Sequence, residues 1–83
     1  MPSSIGGRWL RELAERCAMG AELAWTGAGP SAVERVQNDI KAVAAERGIA
    51  YADLVRAVAR EWEKRGVVPE GAALAMARAM VAG

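Results

Sequence analysis

Residues 31–66 read SAVERVQNDIKAVAAERGIAYADLVRAVAREWEKRG, and two glycines in that stretch, Gly48 and Gly66, decide how the chain folds. Upstream of Gly48, Val33, Val36, Ile40 and Val43 recur at steps of three and four, which places them on one face of a 3.6-residue helix. Ser31 and Glu34 have the spacing of a capping box just after Pro30, so the pattern predicts a helix over 32–47. Glycine adopts the left-handed backbone that ends a helix, and Ile49 then folds back onto the apolar face. Tyr51, Leu54, Val55, Val58 and Trp62 continue at helical spacing. Lys64 and Arg65 precede Gly66 at the negative end of the helix dipole, which predicts a second helix over 51–65. The stretch is therefore an αα-hairpin with two apolar inner faces.

Helical patterns extend on both sides. Trp9, Leu10, Leu13, Cys17, Ala21 and Ala24 form one stripe, with Arg8, Arg11, Glu12, Glu15, Arg16 and Glu22 outside it, and predict a helix over 8–25. Gly20 disfavours that helix by about 1 kcal/mol relative to alanine, so its role is read as close approach of a neighbouring helix. Pro69 and Glu70 suit a first turn and open a fourth helix over 69–81. That helix is apolar nearly all round and carries Arg78 as its one charge beyond the first turn. The expected architecture is a small all-α bundle of four helices built on the central hairpin. Residues 1–83 form a single domain, with the Pro-, Ser- and Gly-containing segment 1–7 expected to be poorly ordered.

Composition limits function. The chain has 83 residues, 53% of them hydrophobic but none Phe, so the core must be built from small side chains around Trp9, Trp25, Trp62 and Tyr51. Eleven basic and ten acidic residues are intermixed, which leaves no global electrostatic footprint for nucleic acid or an anionic membrane. No apolar run is long enough to cross a membrane and no export signal opens the chain, so a cytoplasmic protein is expected. The lone Cys17 agrees with a reducing compartment.

Most catalytic chemistry fails on residue type. Without histidine the commonest general base and metal ligand are missing, and one cysteine cannot build a thiolate metal site. Cys17 lies on an apolar stripe, as a buried structural thiol would. Paired carboxylates such as Glu61 with Glu63, or Asp39 with Glu46, do not share a helix face at a spacing of three or four, and Glu61 and Asp39 have basic neighbours, Arg65 and Arg35, four residues away. The turn Thr26-Gly27-Ala28-Gly29-Pro30 has no strand before it and no lysine after its last glycine, so it is not a phosphate cradle. No enzyme, cofactor or metal site is expected.

Binding remains. Arg56, Arg60 and Lys64 recur every fourth residue opposite Leu54, Val58 and Trp62 and form a candidate nucleic-acid contact, since aligned cations can meet successive phosphates. On the fourth helix Leu74, Met76, Met80 and Val81 form a candidate protein interface, methionine packing adaptably against partners. The main expectation is a non-enzymatic helical interaction protein, a regulator or inhibitor of the phage or plasmid kind, with a protein partner that includes a second copy of itself.

Residues 43–58, and in particular Gly48, Ala50, Ala52, Asp53 and Leu54, resemble the helix-glycine-helix core of ribbon-helix-helix regulators. The resemblance implies a homodimeric DNA-binding repressor built on the hairpin, which is the alternative function. Members of that family read bases with a strand before the first helix. Ala21 to Gly29 show neither the alternation nor the basic side chains of such a strand.

Overall fold

A computed structural model describes residues 5–26 and 30–82 and contains four helices: α1 (Arg8–Trp25), α2 (Pro30–Arg47), α3 (Tyr51–Lys64) and α4 (Ala72–Ala82). No strand occurs among the described residues. The side chains of Ala24, Trp25 and Pro30, and residues 1–4, 27–29 and 83, lie outside them. Of the segment 1–7, Ile5 packs half-buried against the core.

Both glycine stops form as the sequence implies. Gly48 has φ 66°, with Ile49 N donating to Ala44 O at 2.9 Å and Gly48 N to Ala45 O at 3.4 Å. Gly66 repeats the pattern with φ 75°, Val67 N bonding Trp62 O at 2.8 Å and Gly66 N bonding Glu63 O at 3.2 Å. These paired bonds satisfy carbonyls that a helix end would otherwise leave without donors. Ile49 and Val67, the residues after each glycine, then pack half-buried on the core.

Two helix starts differ from expectation. α2 begins at Pro30, not Ala32, because proline's fixed φ suits the first helical position and it has no amide to leave unbonded. Ser31 therefore lies inside the first turn. α4 begins at Ala72, three residues after Pro69, because Gly71 takes φ 86° inside a turn closed by Ala72 N donating to Pro69 O at 3.0 Å. The Glu63 carboxylate holds that turn by accepting from Gly71 N at 2.6 Å.

α3 is the centre of the bundle. It packs on α4, α1 and α2, and the most extensive pairings are α3 with α4 and α1 with α2. Leu54, Val55, Val58, Ala59 and Trp62 make its buried face. Trp62 is fully buried, and its indole N–H donates to Ala14 O of α1 at 2.9 Å, so the largest core side chain also ends on a satisfied polar atom. α1 contributes Leu10, Leu13, Ala14, Cys17 and Ala21, and α2 contributes Val36, Ile40 and Ala44. Val33 and Val43 are half-buried at the edge of the α2 stripe.

Polar side chains fasten the outer seams. Gln37 Nε2 and the Tyr51 hydroxyl both donate to Met80 O, at 3.0 and 3.3 Å, and so serve a carbonyl of the last turn of α4. Burial pushes the Tyr51 hydroxyl above its ordinary pKa. The Arg47 guanidinium lies 4.1 Å from the centre of the Trp9 ring and joins the end of α2 to the start of α1.

Candidate functional site

The three basic residues singled out on α3 are all exposed, on the side away from its buried face. Their surroundings differ. Arg56 Nη1 pairs with Asp53 Oδ1 at 3.4 Å, and Lys64 Nζ pairs with Glu61 Oε2 at 3.6 Å. Arg60 makes no ion pair among the described residues. Glu61 also meets Arg65 at 3.9 Å, whereas Arg35 and Asp39 do not close on each other.

The four candidates on α4 divide. Met76 and Met80 are 9% and 5% exposed and belong to the core, so the structure removes them from the outer surface. Leu74 and Val81 are 56% and 43% exposed. Seven residues separate these two, about 10.5 Å along the axis, which returns them to the same side of the helix after two turns. A helix apolar on every side gives periodicity nothing to sort. Its packing against α3 decides which residues go inward.

The outward residues of α3 and α4 meet. A groove of about 410 Å³ runs along the seam, lined by Arg56, Arg60, Glu63, Ala73, Leu74 and Ala77, with Gly71 at its end. An adjoining groove of about 500 Å³ shares Arg56, Leu74 and Ala77 and adds Arg78, Val81 and Ala82. Arg56 and Arg60, but not Lys64, thus form one continuous surface with Leu74 and Val81 over an alanine floor. Arg78 is the member not singled out as a binding residue. Its signal was its position, four residues after Leu74 and three before Val81.

Three other features are distinct from this face. An apolar cleft of about 230 Å³ lies between α2 and α4, lined by Val33, Val36, Trp62, Ala75, Met76 and Met80 among others. Met19 and Leu23 are exposed on α1 and line a groove that reaches Arg35 and Asp39. Cys17 is buried, with its Sγ donating toward Asp39 Oδ2 at 3.9 Å. Desolvation, reinforced by the Asp39 carboxylate, pushes the Cys17 thiol up to about 11 from 9.0, so it stays protonated at neutral pH. Thr26 Oγ1 is engaged with the carbonyls of Glu22 and Leu23 at 2.9 and 3.1 Å. Among the described residues no three Cys, Asp or Glu side chains converge to hold a metal ion.

The raised thiol pKa has a measurable consequence. A group that binds its proton more tightly when folded stabilises the fold fully below its unfolded pKa, and loses that contribution as pH climbs through the folded value. Unfolding free energy should therefore fall between pH 9.0 and about 11. The fall should be smaller in Cys17→Ala, as urea titrations at each pH would measure. Equal slopes in the two proteins would contradict this.

No helix among the described residues is long and apolar enough to cross a membrane. No family model matches the chain, and neither the curated proteins nor the solved structures contain a match to it.

Proposed function

We propose that this is a non-enzymatic helical interaction protein that acts in the cytoplasm by protein–protein contact, in the manner of a small regulator or inhibitor, through the outer face of α3 and α4. One observation carries the reading. Leu74 and Val81 stand open to solvent in a groove rimmed by Arg56, Arg60 and Arg78. Aliphatic groups at the centre of a patch yield binding free energy when water is removed, roughly 25 cal/mol per Å². Arginine is enriched in interfaces because its planar head makes several hydrogen bonds while its stem packs.

The test is a photo-crosslinking residue placed at Leu74, with the exposed α2 position Glu34 as control, in cells that make the protein. A discrete crosslinked species from position 74 and none from 34 is expected. Identical patterns from both positions, or none, would remove the face from consideration. A crosslinked dimer of the protein, lost on Val81→Asp, would make the partner a second copy.

The alternative is a DNA-binding dimer of ribbon-helix-helix-like type. It is favoured by the exposed row Arg56, Arg60 and Lys64, whose members stand about 6 Å apart along α3. Fluorescence anisotropy with random duplex DNA at low salt tests it. Absence of saturable binding at micromolar protein would argue against it.

A further inference from the structure

Resting on the reading of the α3–α4 face as a docking surface, we infer that its occupant is an amphipathic helix of a protein partner whose apolar stripe is flanked by aspartate and glutamate. Shape gives the first reason. The groove follows α4 from Ala73 to Ala82, about 14 Å at the rise of an α-helix, or two and a half turns. Ala73 and Ala77, one turn apart, form its floor with nothing larger than methyl groups, both buried. Leu74 and Val81 present aliphatic groups with the two-turn repeat that an i, i+3/i+4, i+7 stripe matches.

Charge supplies the second reason. Arg56 and Arg60 line the groove from α3 and Arg78 lines it from α4 between Leu74 and Val81, so cations from both helices stand beside the apolar pair. Glu63 is the one carboxylate among the lining residues, and its Oε2 is already engaged by Gly71 N. Arg60 and Arg78 have no ion-pair partner among the described residues, and Arg56 holds only an exposed pair with Asp53. Carboxylates on both flanks of an incoming helix complement that arrangement bidentately. A duplex fits it less well, because its phosphates would meet Leu74, Val81 and the Glu63 carboxylate along with the arginines.

Three synthetic helical peptides of about fifteen residues test the inference on the full chain. They share one leucine stripe, flanked by Glu, Gln or Lys. The Glu peptide is expected to bind at least about tenfold more tightly than the Gln peptide, and the Lys peptide not to saturate. Amide shifts should centre on Leu74 and Val81. Arg60→Glu with Arg78→Glu should weaken the Glu peptide at least about tenfold without changing helicity, and rising salt should weaken it too.

Equal affinity for the Glu and Gln peptides, with shifts at Leu74 and Val81, would overturn the acidic partner and leave the docking face standing. No shifts at those residues with any peptide, together with no crosslink from position 74, would overturn both. Saturable binding of random duplex DNA that needs Arg60 and Arg78, with no response to the Glu peptide, would overturn the inference in favour of nucleic acid.

Discussion

Replacing Trp62 by alanine is expected to remove about 3–5 kcal/mol of stability, a large share of what a domain of this size has. A domain of 83 residues has, at roughly 0.05–0.15 kcal/mol per residue, about 4–12 kcal/mol in total. Trp62 is the largest of the fully buried side chains. It lies on α3, the helix that packs on all the others, and reaches across to Ala14 O of α1. Deleting it opens a cavity at the centre and also removes a bond between residues 48 positions apart. Trp62→Phe separates these effects, since it keeps most of the packing and loses the N–H donor, for which a further loss of about 1 kcal/mol is expected. Urea unfolding followed by circular dichroism measures both. An unchanged midpoint in Trp62→Ala would mean that the core is not organised around this ring.

The second large effect is expected at Gly20, where two local forces oppose each other. Alanine in a helix interior is favoured over glycine by about 1 kcal/mol, so propensity alone makes Gly20→Ala stabilising. A Cβ built at this position would lie 2.6 Å from Val36 Cγ2, closer than any ordinary contact. Val36 is buried and β-branched, so its χ1 has little freedom to turn away in a helix. Overpacking of this kind costs about 1–3 kcal/mol. The net result is a loss of up to about 2 kcal/mol, the difference between those ranges. Valine at position 20 should lose more. Adding Val36→Ala should make Gly20→Ala less harmful, with a coupling of at least about 0.5 kcal/mol in a double-mutant cycle. Strict additivity would show that α1 and α2 do not meet where the structure has them meet.

The Gly20 substitutions act at the α1–α2 seam, away from the α3–α4 groove, and are expected to reduce the folded population without changing the affinity of the molecules that remain folded. Charge reversal at Arg60 and Arg78 is expected to do the opposite, because exposed side chains without ion-pair partners contribute little to stability. That separation allows the docking reading to be tested without confusion with folding defects.

Much of the fold was legible because it is written locally. Gly48 and Gly66 end helices through their own backbone freedom, and the residue after each is apolar, so both turns could be read in the chain. Leu10, Leu13 and Cys17, or Leu54, Val58 and Trp62, reveal their inward face because polar residues lie opposite. The start of α4 was harder, since Pro69 and Glu70 have the right local chemistry. What overrules them is the left-handed Gly71 and a carboxylate from another helix, and the latter is a tertiary contact.

The binding surface was only half legible. The basic row Arg56, Arg60 and Lys64 could be found from spacing, but on α4 alanine and methionine surround the helix and no face stands out. The sequence by itself determined four helices, their stops, and inner faces wherever polar and apolar residues alternate with the helical period, because those choices depend on neighbours within one or two turns. Only the tertiary structure decided that Met76 and Met80 are core, that Leu74 and Val81 are surface, and that Arg78 stands across a groove from Arg56. Those properties depend on how α4 lies on α3, a tertiary arrangement that no pattern within α4 specifies and to which the Gly71 turn, held by the Glu63 carboxylate, contributes.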